Sequence, residues 1–90
     1  MKPVYNKEGL VPCIVQEIDT KEVLMLAYMN EESFQKTIET KDLYFYSRSR
    51  KSLWKKGETS GNTQNLINLK YDCDQDTLLA LVSQKGPACH

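Results

Sequence analysis

Three carboxylates stand at every second position of the segment Asp-Cys-Asp-Gln-Asp. Alternate side chains of an extended backbone project to one side, so this spacing predicts that Asp72, Asp74 and Asp76 converge on one hard cation. Oxygen ligands suit Mg²⁺ or Ca²⁺, and adjacent carboxylates repel one another unless a cation neutralises them. An EF-hand begins in the same way but requires glycine and glutamate where this chain has Thr77 and Ser83. A solvated acidic turn is the alternative that the spacing leaves open.

Cysteine supplies a second candidate metal site. Cys73 alternates with the aspartates, so its thiol is expected on the opposite side of the strand. Cys89 follows after a predicted strand and a Gly-Pro turn, a separation at which a returning chain can bring the two thiols together. Zinc favours thiolate and imidazole ligands, and His90 is adjacent. Buried or idle thiols are the alternative, which is our interpretation of Cys13 in its apolar segment.

Positive charge is concentrated in one segment. Residues 47–57 hold five of the twelve lysines and arginines and no acidic residue. The following Thr-Ser-Gly adds hydroxyls and backbone amides, which surround phosphates alongside bidentate arginine. Trp54 is suited to stacking on a base or a ribose. The segment therefore predicts a phosphate site, with a solvated basic loop or a weak nucleic-acid patch as the alternative.

A small fold has to position these segments. The chain has 90 residues, 40% of them hydrophobic and 27% charged, with twelve cations against twelve anions. This composition predicts one globular domain, and the zero net charge argues against attraction of the whole protein to nucleic acid or acidic membranes. Three cysteines without an apolar signal segment argue against a disulfide framework and predict a cytoplasmic location. The apolar stretches are far shorter than the roughly 20 residues of a membrane span.

Hydrophobic patterning predicts a strand-rich fold with one main helix, about 31–40. Asn30 can accept a hydrogen bond from a free amide as the N-cap, and Phe34 and Ile38 fall on one helix face. The predicted strands are Leu10–Asp19, Val23–Met29, Leu43–Ser47, a strand with Ile67, Leu69 and Tyr71 on its buried face, and the more fully buried Thr77–Gln84. The first two are expected to form a hairpin, and Ser47–Asn62 is expected to be one long functional loop. The predicted fold class is α+β, a small and mostly antiparallel β domain.

In this order, these segments closely resemble the phosphoribosyl-AMP cyclohydrolase family over nearly the whole chain. The resemblance rests on Val-Leu-Met-Leu-Ala-Tyr-Met-Asn at 23–30, Ser-Arg-Ser-Arg at 47–50, Leu-Trp at 53–54, Lys-Gly-Glu-Thr-Ser-Gly at 56–61, Asp-Cys-Asp-Gln-Asp at 72–76 and Gly-Pro-Ala-Cys-His at 86–90. Members of that family open the adenine ring of their substrate in histidine biosynthesis. The resemblance therefore implies a hydrolytic enzyme.

The resemblance also implies an intertwined homodimer that needs zinc and magnesium. It places Mg²⁺ on Asp72, Asp74 and Asp76, and Zn²⁺ on Cys73 and Cys89, with zinc ligands shared between subunits. The implied substrate, phosphoribosyl-AMP, carries two phosphates, which accounts for the concentrated cations. The substrate contacts expected from the resemblance are Ser47, Arg48, Ser49, Arg50, Trp54, Lys56, Thr59, Ser60 and Gly61. No nucleic acid or membrane partner is expected.

The implied reaction is hydrolysis at C6 of the adenine ring with cleavage of the N1–C6 bond. Zinc supplies a nucleophile by lowering the pKa of water from near 16 to about 7. His90, the only histidine, has an ordinary pKa of about 6.5 that suits a proton shuttle, although a zinc ligand or a frayed terminus are alternatives.

The chain departs from the family pattern in two places. The family continues to a third zinc cysteine, which is expected to be missing from the single domain of residues 1–90. Either these residues are part of a longer chain, or His90, its terminal carboxylate or a dimer partner supplies the remaining zinc ligand. Asn62 stands where many members have histidine, and asparagine cannot titrate. A non-catalytic remnant that binds nucleotide or metal is therefore the alternative to an active cyclohydrolase.

Overall fold

The computed structural model describes residues 2–57 and 64–84, and of Gln84 only the backbone. These residues contain six strands and one helix. The elements are β1 (Val11–Glu17), β2 (Val23–Met29), α1 (Glu31–Thr40), β3 (Tyr44–Ser47), β4 (Ser52–Lys55), β5 (Gln64–Tyr71) and β6 (Leu78–Gln84). This confirms the predicted α+β class. The predicted site residues Thr59, Ser60, Gly61, Cys89 and His90, together with Asn62, lie outside the described residues. No helix in the two described ranges is long and apolar enough to cross a membrane.

Four strands form a sheet in the order β2-β1-β6-β5. β1 and β2 are antiparallel, with Ile14 opposite Leu26, which confirms the predicted hairpin. β5 and β6 are also antiparallel, whereas β1 and β6 run parallel with Cys13 opposite Leu78. The start of β6 therefore lies at the same end of the sheet as the end of β2.

The two faces of the sheet differ. On one face, Cys13 and Leu78 are fully buried in a core that also holds Met29 of β2, Phe34 of α1 and Phe45 of β3. Burial raises the pKa of the Cys13 thiol to about 12, against the smaller opposite effect of a hydrogen bond with the Ala80 backbone. Cys13 is therefore the buried thiol that was predicted.

The opposite face carries an apolar row that no described residue covers completely. Ile14 stands opposite both Leu26 of β2 and Leu79 of β6, and residues opposite one another in a sheet share a face. Leu26 is 55% exposed, and Ile14 and Leu79 are half-buried. We call Leu26, Ile14 and Leu79 the open row.

Local sequence explains why α1 forms where it does. Asn30 Oδ1 accepts from the Ser33 N–H at 2.9 Å, and Ser33 Oγ accepts from the Asn30 N–H at 2.9 Å, so the two residues form a capping box. The helix ends at Lys41, which has a φ of 67° and donates its N–H to the Thr37 carbonyl. The Thr37 hydroxyl accepts from the Tyr44 N–H at 3.0 Å, which ties the helix to β3. The predicted helix is confirmed.

The prediction that Ser47–Asn62 forms one long loop is wrong, because this segment contains β4. β4 pairs antiparallel with β3 and places Trp54 opposite Phe45, with their ring centroids 4.9 Å apart. Such cross-strand aromatic pairs stabilise a sheet by roughly 0.2–1 kcal/mol. The sequence does not predict this strand, because polar residues flank Leu53 and Trp54 in β4. The basic residues at 48–51 consequently lie on the turn of a hairpin.

The pattern predicted for β5 is wrong at Ile67, which is 55% exposed. A β-bulge shifts the register between Leu66 and Asn68, so the strand does not keep its alternation. Leu66 is buried before the bulge, and Leu69 and Tyr71 are half-buried after it.

Candidate active site and metal centre

The acidic segment forms a turn between β5 and β6 rather than an extended strand. Asp72 Oδ1 accepts hydrogen bonds from the N–H groups of Asp76 at 3.0 Å and Thr77 at 3.2 Å. Gln75 has a φ of 62°, in the left-handed region that turns use. The prediction of an extended backbone is therefore wrong. The prediction that the Cys73 thiol lies on the side opposite the carboxylates is no longer supported, because it depended on that backbone. The Cys73 side chain is exposed.

The turn nevertheless brings the three predicted carboxylates together. Oxygens of Asp72, Asp74 and Asp76 lie within 4.8 Å of one another, and all three residues are exposed. Ligands about 2.1 Å from a magnesium ion are separated by at most about 4.2 Å, so small side-chain rotations fit this cluster to Mg²⁺. The donor set is entirely oxygen, which suits a hard cation.

Hydrogen bonding also makes the carboxylates unequal. The hydrogen bond with Asp72 raises the pKa of Asp76, and desolvation and the charges of Asp72 and Asp74 act in the same direction. Desolvation works to raise the pKa of Asp72, but hydrogen bonds from Asp76 and from backbone N–H groups outweigh it and lower that pKa. The cluster therefore concentrates negative charge that a cation would neutralise.

The N-terminal segment supports this turn from outside the sheet. The Val4 N–H donates to the carbonyl of Gln75 at 2.7 Å, inside the acidic turn. No pattern in the sequence predicts a role for the residues before β1. Their composition carries no signal for this contact, because it joins positions more than seventy residues apart.

The hairpin of β3 and β4 carries the predicted phosphate site on its turn. The Ser47 hydroxyl accepts from the Arg50 N–H at 3.2 Å and lies 3.3 Å from the Ser49 hydroxyl. The Arg48 guanidinium lies over the Tyr28 ring, 4.7 Å from its centroid. An open cavity of about 760 Å³ adjoins this turn and is lined by Glu8, Ala27, Tyr28, Tyr46, Ser47, Arg48, Ser49, Arg50 and Trp54. Five predicted substrate contacts therefore meet at one cavity.

Lys56 differs from the other predicted substrate contacts because its side chain is only 6% exposed. Its backbone N–H donates to the Leu43 carbonyl at 2.9 Å, and burial lowers the pKa of its ammonium group. Lys56 does not line the cavity beside the hairpin turn. The structure therefore does not bring it together with Arg48 and Arg50 among the described residues.

The sheet places the carboxylate cluster and the cavity at one end. Ala27 at the cavity pairs with Cys13 on β1, and Cys13 pairs with Leu78, one residue after the acidic turn ends at Thr77. Neighbouring strands are about 4.8 Å apart, so Ala27 and Leu78 are separated by roughly 10 Å across the sheet. The candidate anion site and the candidate cation site therefore lie at the same end of the sheet.

Tyr28, Tyr46 and Glu8 also line the cavity, although they were not among the predicted site residues. The signal for Tyr28 was its place in β2, where it alternates with half-buried Ala27 and buried Met29 and so faces away from the core. The signal for Tyr46 was its position next to the Ser-Arg-Ser-Arg motif. No pattern in the sequence points to Glu8.

The fold and these clusters define a small α+β protein with a candidate cation site and a candidate anion site at one end of its sheet. The family model of phosphoribosyl-AMP cyclohydrolase matches residues 25–90. A phosphoribosyl-AMP cyclohydrolase of Bacillus cereus (strain ATCC 10987) is 66% identical over the whole chain, which covers 88% of that protein, and one of strain Q1 is 63% identical with the same coverage. The chain belongs to the phosphoribosyl-AMP cyclohydrolase family, which confirms the predicted family and its enzymatic character.

A longer relative contains the same unit. The histidine biosynthesis bifunctional protein HisIE of Bacillus subtilis (strain 168) is 64% identical over 86 residues, and the chain spans 41% of that protein.

Proposed function

We propose that this protein hydrolyses phosphoribosyl-AMP in L-histidine biosynthesis, opening the adenine ring at the N1–C6 bond. The observation that carries the proposal is the 66% identity over the whole chain to a phosphoribosyl-AMP cyclohydrolase. The cavity supports the choice of substrate, because its two arginines suit a phosphorylated ligand and the half-buried Trp54 suits an aromatic base.

The substrate contacts fall into two groups. Arg48 and Arg50 bind phosphate through charge-assisted hydrogen bonds, with the hydroxyls of Ser47 and Ser49 beside them. Lys56 and the segment 59–61 (Thr59, Ser60 and Gly61) complete the proposed set. Lys56 is largely buried as a residue, and no hydrogen bond or ion pair joins its ammonium group to another described residue, so a substrate anion would stabilise a charge that desolvation disfavours.

Two metals complete the proposed active site. The oxygens of Asp72, Asp74 and Asp76, which lie within 4.8 Å of one another, would hold Mg²⁺. The thiolates of Cys73 and Cys89 would hold Zn²⁺. Zinc, when bound, activates a water molecule for attack on C6. His90 would carry a proton to the leaving ring nitrogen, with direct zinc ligation as the alternative. The exposed Cys73 thiol is accessible to a ligand set completed by a second subunit.

The open row supports the proposal of a homodimer. Leu26, Ile14 and Leu79 present apolar surface across β2, β1 and β6, and Val23 at the start of β2 is 63% exposed. Apolar surface of this kind marks protein interfaces. Tyr28 follows Leu26 on the same face, so a partner on the open row would lie beside the cavity.

The test is turnover of purified protein on phosphoribosyl-AMP with Zn²⁺ and Mg²⁺ added, followed by the absorbance change of ring opening. Zinc per subunit is measured on the same sample. Turnover with bound zinc is expected. A protein that binds nucleotide but retains no zinc and shows no turnover would instead be the non-catalytic remnant.

A further inference from the structure

Arg48 is held by an aromatic ring instead of a carboxylate. Its guanidinium carbon lies 4.7 Å from the Tyr28 ring centroid, inside the roughly 6 Å limit of a cation–π interaction. Arg48 forms no salt bridge with another described residue; the salt bridge among these residues joins Lys55 to Asp42. A carboxylate partner would neutralise the guanidinium, whereas a ring fixes its position and leaves its charge available to an anion.

The contact with Tyr28 also leaves N–H groups of Arg48 available to an anion. A guanidinium carries five N–H donors, more than a single ring contact can occupy. A phosphate can therefore accept a bidentate pair of hydrogen bonds from Arg48 while Tyr28 stays in contact. Because the guanidinium is already placed, less side-chain freedom is lost when the phosphate binds.

Arg50 provides a contrast on the same turn. Its backbone N–H donates to the Ser47 hydroxyl, but no ring contact or ion pair holds its exposed side chain to another described residue. The turn therefore offers one fixed arginine and one adaptable arginine. Only the fixed one depends on a residue from a different strand.

We propose that Tyr28 is a positioning residue, which holds Arg48 in the orientation that binds a phosphate of the substrate. The inference rests on the proposed function, since it takes Arg48 as a phosphate ligand. It adds a role for β2, the strand that supplies the open row, in preparing the anion site. Tyr28 acts through Arg48 and is not required to touch the reacting ring.

The experiment is a double-mutant cycle read in steady-state kinetics on phosphoribosyl-AMP. An exposed cation–π contact corresponds to about a two- to fivefold change in affinity, so Tyr28→Leu is expected to raise KM by that factor with little change in kcat. Tyr28→Phe keeps the ring and is expected to recover most of the affinity. In an Arg48→Ala background, Tyr28→Leu is expected to have no further effect on KM. Tyr28→Ile serves as a second variant if Tyr28→Leu folds poorly.

The chain offers a matched control. Lys36 lies over the Tyr44 ring at 5.1 Å, and neither residue lines the cavity. Tyr44→Leu therefore removes a similar contact elsewhere and is expected to leave KM unchanged. Calorimetric titration with AMP compares the same variants, so the contact is tested even without turnover.

Three outcomes overturn the inference. If Tyr28→Leu leaves KM and AMP affinity unchanged while Arg48→Ala weakens both, the positioning role is wrong but the proposed function stands. If the two substitutions are additive, Tyr28 does not act through Arg48. If Arg48→Ala has no effect on either measurement, the phosphate assignment of Arg48 fails as well.

Discussion

Replacement of Leu26 by lysine should separate the proposed homodimer into folded monomers. Leu26 is 55% exposed in the single chain, so the substitution leaves the core intact. Full burial of a leucine contributes about 1.5 to 3 kcal/mol, so covering the exposed part contributes roughly 0.8 to 1.7 kcal/mol. A two-fold dimer covers it twice, and the expected rise in the dimer Kd is at least about tenfold. The lysine charge at an apolar contact adds to this loss.

Sedimentation velocity over a concentration series measures the effect, with circular dichroism to verify the fold. Wild-type protein is expected to sediment as a dimer at micromolar concentration, and Leu26→Lys as a monomer with much reduced turnover. Ile67→Lys is the matched control, because Ile67 is equally exposed but lies in the bulge of β5 at the other edge of the sheet. A 10 kDa species alone for the wild type, or an unchanged dimer for Leu26→Lys, would refute the reasoning.

Substitutions at four further positions test the site and the fold. Cys73→Ser should remove zinc and turnover together, because a hydroxyl is a poor zinc ligand; full metal content by mass spectrometry would contradict the zinc assignment. Asp74→Asn should weaken the magnesium dependence of the rate and leave zinc in place, and the reverse pattern would contradict two separate sites. Arg50→Ala should raise KM by about tenfold or more with an unchanged Tm. Arg50→Lys should recover part of the lost substrate affinity, because lysine keeps the positive charge but cannot form the bidentate hydrogen bonds of a guanidinium. Asn30→Ala should lower the Tm by about 4–8 °C through the loss of roughly 1 kcal/mol of capping, and an unchanged melting curve would show that the capping box contributes nothing.

Features encoded by neighbouring residues were predictable from the sequence. The helix could be placed to within a residue because its cap, its acidic first turn and its buried face all lie within ten positions. The β1–β2 hairpin follows from two apolar segments and a short turn for the same reason. The Asp72, Asp74 and Asp76 cluster was predicted as a set, but from the wrong backbone, because a turn can bring alternate carboxylates together as effectively as a strand.

Features that depend on distant partners were not predictable in this way. β4 contains polar residues and is stabilised by Phe45 across the hairpin, which a search for apolar periodicity cannot detect. Ile67 is exposed because one extra residue enters the β5–β6 ladder, and the alternation of residue types does not reveal such a bulge. Tyr28 acquires its place at the cavity only when the hairpin turn brings Arg48 over its ring.

The parallel pairing of β1 with β6 has a consequence for how the protein folds. These two strands form the centre of the sheet, yet Leu78 follows its partner Cys13 by more than sixty positions. Such non-local pairing raises the contact order and slows folding, because a large loop must close before the central ladder can form. During synthesis, the β1–β2 hairpin and α1 can form early, but β1 cannot complete its pairing until β6 has been synthesised. The carboxylate turn and the arginine turn are each closed within their own hairpin, but they come to the same end of the sheet only when β6 pairs with β1, so the complete candidate site is assembled only when this ladder forms.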